Sequence, residues 1–108
     1  MWENVIKKDA KRDADSFNDE DFNEVTGDRF DYIIGEIRRL YYPHYNEDNK
    51  EKFDMLRIRT VRFINQFNYR KTIRGLKGIK KMVNQFKLPE LDYLIEMLEH
   101  KMERNPNY

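Results

Sequence analysis

The chain has 108 residues, 38% of them charged, with no cysteine and a net charge of +1. That length sets one domain as the expectation. The missing cysteines exclude disulfides and thiolate zinc sites and fit a reducing compartment, the cytoplasm. No stretch approaches the roughly 18 apolar residues of a membrane span, and Met1 to Lys11, with Glu3, Lys7, Lys8 and Asp9, lack the apolar run of a signal peptide.

So much charge favours disorder, but seven Phe, seven Tyr and one Trp supply large area for burial. The small net charge conceals a separation of sign. Residues 1–49 carry 7 basic and 13 acidic side chains, residues 50–87 carry 12 and 2, and residues 88–108 carry 2 and 5. Such blocks create local fields that the total does not reveal.

Taken in chain order, Trp2 to Lys8 reads as one or two helical turns, with Trp2, Val5 and Ile6 on one side. Residues 10–24 are polar and acidic and read as a linker or loosely attached arm, pinned to the body by Phe17 and Phe22. Residues 1–24 are therefore expected to be an N-terminal segment with an acidic arm, residues 25–104 a helical domain and 105–108 a tail.

The spacing predicts a first firm helix over 28–42, capped by Thr26, with Phe30, Ile33, Ile34, Ile37, Leu40 and Tyr41 in one stripe and Pro43 as its stop. A second is predicted over 50–67, with Phe53, Leu56, Thr60, Phe63, Ile64 and Phe67 on its main face. The partial alternation of Leu56 to Phe63 also permits a strand, and the longer helical stripe decides for helix. Met55, Ile58 and Val61 lie off that face and ask for a second partner. Asn68 marks a break.

A third helix is predicted over 69–86, with Tyr69, Ile73, Leu76, Ile79, Val83 and Phe86 on one side. Gly75 and Gly78 within it serve either close helix packing or a turn that splits the segment. The last helix covers 90–103, with Pro89 at its first turn and Leu91, Leu94, Ile95, Leu98 and Met102 on one face. The fold class is all-α, a small bundle of about four helices with the N-terminal segment as an addition.

The basic middle third carries the functional expectation. Arg70, Arg74, Lys77 and Lys81 are spaced four, three and four, which places them within about 60° of arc on a helix. Lys71 and Lys80 flank the row, Arg57, Arg59 and Arg62 precede it, and Gln66, Asn68, Asn84 and Gln85 add uncharged donors. From Arg57 to Lys87 there is no Asp or Glu, whereas an ordinary solvated helix mixes signs at i,i+4 spacing. Such a face suits a phosphate backbone, DNA or RNA. The competing readings are an internal or subunit-to-subunit charge match and a plain solvated face.

The run Ile73-Arg74-Gly75-Leu76-Lys77-Gly78-Ile79-Lys80-Lys81 resembles the glycine-x-x-glycine loop of KH domains, which implies a backbone clamp on nucleic acid. It is also similar to the hairpin of helix-hairpin-helix proteins, which implies glycine amides presented to phosphate. The likeness covers nine residues. Flanking strands are missing for the first, and Lys80 replaces the second hairpin glycine for the other.

Other constellations are thinner. Asp13, Asp15, Asp19 and Glu24 match four calcium-loop positions, but Asn18 stands where the loop requires glycine. Tyr41, Tyr42, His44 and Tyr45 read as the closure of one end of the core, with base stacking as the functional counterpart. His44 and His100 form no metal motif. Ser16 is the sole serine, and no cofactor fingerprint or nucleophile arrangement is present, so no enzyme activity and no cofactor are expected. The reading is a small nucleic-acid-binding accessory or regulatory protein. Its alternative is a non-enzymatic adaptor with an acidic protein partner, or a module that assembles with its own copies.

Overall fold

The computed structural model describes residues 2–16, 18–83 and 88–104. These form five helices, α1 (Trp2–Ser16), α2 (Phe22–Leu40), α3 (Glu47–Asn65), α4 (Tyr69–Lys80) and α5 (Pro89–Arg104), with no strand among the described residues. Short 3-10 turns, Asp19–Asp21 and Tyr42–His44, precede α2 and α3. The all-α expectation holds, and the helix reading of the second segment prevails over the strand.

Four helices close a ring: α2 packs on α3, α3 on α4, α4 on α5, and α5 back on α2. The fifth, α1, lies along α5 outside that ring. The body is 19 Å deep in its thinnest direction, about two helix diameters, so every helix keeps one uncovered side.

Of the predicted stripes, Phe30, Ile33, Ile37, Phe53, Ile73, Leu76, Leu91, Leu94 and Leu98 are buried. Leu56 and Phe63 are half-buried, because their side of α3 lies at the seam with α4 rather than at the ring's centre.

The N-terminal third differs most from expectation. The one or two turns foreseen there are a helix of 15 residues. Residues 10–16 belong to it, and Ala10 and Ala14 are fully buried. These two small side chains let α1 approach α5 closely, a signal too small to register in a hydrophobic stripe. Nor does an arm follow. Phe22 is fully buried and opens α2, six residues before the foreseen start. Thr26, foreseen as a cap, is buried inside that helix. Asp19 accepts a hydrogen bond from the Tyr69 hydroxyl at 3.0 Å and lies 3.9 Å from Lys101. The acidic stretch is thus fastened to the body at Asp19 rather than loosely attached.

Other corrections are local. Leu40 is exposed at the end of α2. Phe67 leaves α3 with a φ of 56° and stands half exposed beside Phe22, ring centres 6.1 Å apart. Helix α4 stops at Lys80, so Val83 lies in a bend. Met97, in the last helix, is buried because α5 receives both α1 and the ring. Phe17, Asn84, Gln85, Phe86 and residues 105–108 lie outside the described residues.

Caps and aromatics fix the connections. Asn46 Oδ1 accepts from the Asn49 amide at 2.8 Å, and Asn68 Oδ1 from the Lys71 amide at 3.0 Å, satisfying first-turn donors of α3 and α4. The aromatic cluster closes the core as expected: Tyr42 and Tyr45 each pack on Phe53, at 5.5 and 6.3 Å between ring centres. The Tyr45 hydroxyl donates to the Met82 carbonyl at 2.6 Å, tying the α2–α3 connection to the end of α4. His44 is exposed.

Gly75 and Gly78 open no turn. A Cβ at Gly75 would run into Thr60 Oγ1 and stand 3.2 Å from Thr60 Cβ, and one at Gly78 would stand 3.1 Å from Leu56 Cδ2. They let α4 lie directly on α3. Gly35 meets nothing within 4 Å. Hence Gly75→Ala, despite its higher helix propensity, is expected to lower stability by about 1–3 kcal/mol. Gly35→Ala should raise it by up to about 1 kcal/mol. Urea unfolding of both variants, with Thr60→Ala added to recover the first, checks the contact.

Burial raises the pKa of the Tyr45 hydroxyl, and the neighbouring Tyr41 adds to the shift. Tyr42 moves the same way, through burial and then its hydrogen bond to Asp54. A raised folded-state value means stability that is complete below the unfolded tyrosine pKa, about 10, and lost as pH climbs through the folded value. Tyr45→Phe should cost about 1 kcal/mol at neutral pH and flatten the alkaline fall in melting temperature, measured from pH 8 upward.

Candidate polyanion-binding face

The rotation of α4 is set at its first residue. Tyr69 is buried, its ring edge-on to Phe22 with centres 4.2 Å apart and its hydroxyl held by Asp19. Ile73, Leu76 and Ile79 follow inward. The opposite side then carries Arg70, Arg74, Lys77 and Lys81, all exposed, with Lys81 at the helix's C-cap. The expected row is therefore one continuous outward face.

Its flanks differ. On the α3 side, the Lys71 ammonium lies 5.6 Å from the centre of the Phe63 ring, where the cation meets the ring's negative face. On the α5 side stand carboxylates. Lys80 Nζ is 2.6 Å from Asp92 Oδ1, and Lys77 Nζ is 3.5 Å from Glu99 Oε2. Arg74 and Lys81 form no ion pair among the described residues.

The three arginines of α3 do not join the row as a group. Helix α3 meets α4 through Leu56, Thr60 and Phe63. At 100° per residue, Arg59 falls beside that contact on the outer side and Arg62 farther round the exposed surface. Arg57 falls on the other flank, half-buried, with its Nε buried and without a hydrogen-bond partner among the described residues.

Three features were not foreseen. Asp92, Glu96, Glu99 and Glu103 form an acidic row on α5, spaced four, three and four, and Asp92 and Glu99 border the basic face. That row was legible in the spacing. His100 sits within it, 3.7 Å from both Glu96 and Glu103. The chain also folds α1 back so that Lys7 and Ile6 line a cleft of about 640 Å³ with Lys77, Lys80 and the α5 carboxylates, an approach no local pattern signals. The glycine segment that resembled two nucleic-acid loops lies inside α4. Gly75 is buried against Thr60, so its amide is not presented to a ligand.

Among the described residues no cluster of His, Asp or Glu could hold a metal, and no helix is long and apolar enough to cross a membrane. Compared with family models, curated proteins and solved structures, the chain matches none.

The Lys80–Asp92 pair is partly exposed, and such pairs contribute little. Asp92→Asn should lower stability by about 1 kcal/mol or less at low ionic strength, and the difference should shrink at about 1 M salt. Thermal melts at the two salt concentrations measure it.

Proposed function

We propose that this chain is a small nucleic-acid-binding accessory or regulatory protein whose α4 face contacts the phosphate backbone. One observation carries the reading: Arg70, Arg74, Lys77 and Lys81 share an exposed helical face that bears no carboxylate of its own. The row is about 16 Å long at 1.5 Å per residue. Lys71 and Arg59 extend it toward α3. Arg62 and Arg57 contribute charge at a distance, and Lys80 is engaged by Asp92.

Backbone contact is electrostatic and indifferent to sequence. The α5 acids act against it by holding Lys77 and Lys80, so they set the affinity low and confine contact to the outer edge of the face. An adaptor role is favoured by a separate feature, the exposed Met55 and Ile58 on α3.

Fluorescence polarisation with duplex and single-stranded probes at about 50 mM salt tests the reading. Affinity should fall with log salt at a slope of about −2 to −4 for two to four phosphates neutralised. Arg74→Glu with Lys81→Glu should weaken binding at least about tenfold on every sequence. Their melting temperature should fall only slightly, because neither side chain has an ion-pair partner among the described residues and Glu at the C-cap opposes the helix dipole. Asp92→Asn with Glu99→Gln should tighten it by releasing two lysines. Absence of binding by both the native chain and the Asp92→Asn/Glu99→Gln form would refute the reading.

A further inference from the structure

Helix α3 has an uncovered face whose order is unusual. Asp48, Glu51, Met55, Ile58, Arg62 and Asn65 are spaced three, four, three, four and three, and all six are exposed. Successive steps of three and four average 3.5 residues, the repeat of a helix–helix seam. The core side of the same helix is occupied by Phe53, Thr60 and Ile64, so this seam is a second face, and nothing among the described residues covers it. Its centre is apolar: Met55 is 46% and Ile58 48% exposed.

The charges along the seam are antisymmetric. Asp48 and Glu51 occupy its N-terminal half and Arg62 its C-terminal half. Reversing the helix about a point midway between residues 56 and 57 brings Met55 opposite Ile58, Glu51 opposite Arg62 and Asp48 opposite Asn65. A second copy of α3, laid antiparallel, therefore meets apolar groups at the centre and an opposite charge at each end, each contact occurring twice. A two-fold interface demands this kind of self-complementarity. A parallel pairing would set Glu51 on Glu51 and Arg62 on Arg62.

The ground beside the seam agrees. A groove of about 350 Å³ runs along it, lined by Tyr42, Met55 and Ile58 and by the carboxylates of Glu47, Asp48, Glu51 and Asp54. Lys50, its one cation, lies 3.9 Å from Glu47 and 5.5 Å from the centre of the Tyr42 ring. The antiparallel arrangement carries an arginine of the second copy to this acidic groove. Within one chain Glu51 and Arg62 are eleven residues apart, about 16 Å along the helix, and neither forms an ion pair among the described residues.

We infer that the exposed face of α3 is a two-fold interface between two copies of this chain, with Met55 and Ile58 at its centre and Glu51 paired to the partner's Arg62. The inference is independent of phosphate binding. It moves Arg62 from the polyanion face to the seam. The contact is one helix wide, so it falls in the small, reversible interface class, with a dissociation constant on the order of 100 µM.

Sedimentation equilibrium of the full chain, from about 10 µM to 1 mM at low salt and free of nucleic acid, tests it. The native chain should shift from monomer to dimer across that range. Glu51→Arg alone and Arg62→Glu alone should each weaken association at least about tenfold, because like charges then face each other twice. An equimolar mixture of these two variants should recover it, since each supplies the charge the other lacks, and so should the double variant. All positions are exposed, and unchanged melting curves would confirm that folding is not at issue. A purely monomeric mass at 1 mM, or a mixture that associates no better than its separate components, would overturn the inference.

Discussion

The orientation of the cationic face of α4 and of the exposed side of α3 depends on the direct approach of these two helices. At Gly75 there is no room for even a methyl group beside Thr60, and at Gly78 the Leu56 side chain fills the gap. Two glycines in a 12-residue helix carry a propensity cost of about 1 kcal/mol each. Close packing and the burial of Tyr69, Ile73, Leu76 and Ile79 offset it. With that contact fixed, α4 can turn only one side outward, and that side is cationic. The same contact orients α3, leaving its Met55–Ile58 stripe on the surface.

The other organising element is α5. It receives α1, α2 and α4, which is why Leu91, Leu94, Ile95, Met97 and Leu98 are all buried although they cover more than one stripe. Its remaining side is a row of carboxylates. The two central helices thus meet along an edge where a cationic row faces an anionic one, and Lys77 and Lys80 lie on that edge. Attraction within the chain and attraction to an external polyanion draw on the same lysines. The proposed function therefore belongs to the outer part of the row, where Arg74 and Lys81 face solvent.

The α4 face and the α3 seam lie on adjacent sides of one pair of helices. Two copies joined through α3 would carry two cationic faces related by a two-fold axis. For a polymer of phosphates such doubling raises the effective concentration of the second face once the first is engaged. Weak self-association and weak backbone contact would then reinforce each other without any new contact surface.

The sequence by itself determined the helical class, most of the core and the cationic row. Each is written in local periodicity, and a period of 3.6 residues needs no knowledge of partners. Phe30, Ile33, Ile37, Leu91, Leu94 and Leu98 could be read inward from spacing alone, as Arg70, Arg74, Lys77 and Lys81 could be read outward. Tertiary structure decided what spacing leaves open. It made residues 10–16 helix, because Ala10 and Ala14 fit against α5, and small size becomes a virtue only once a neighbour is present. It turned Gly75 and Gly78 from a candidate loop into a packing surface, because a glycine's meaning depends on what lies opposite its missing Cβ. It separated Arg57 from Arg59 and Arg62, because α4 packs on the side of α3 that lies between them, at Leu56, Thr60 and Phe63. And it set Asp92 and Glu99 beside lysines distant in the chain, because charge pairs form through space while periodicity records only a single helix.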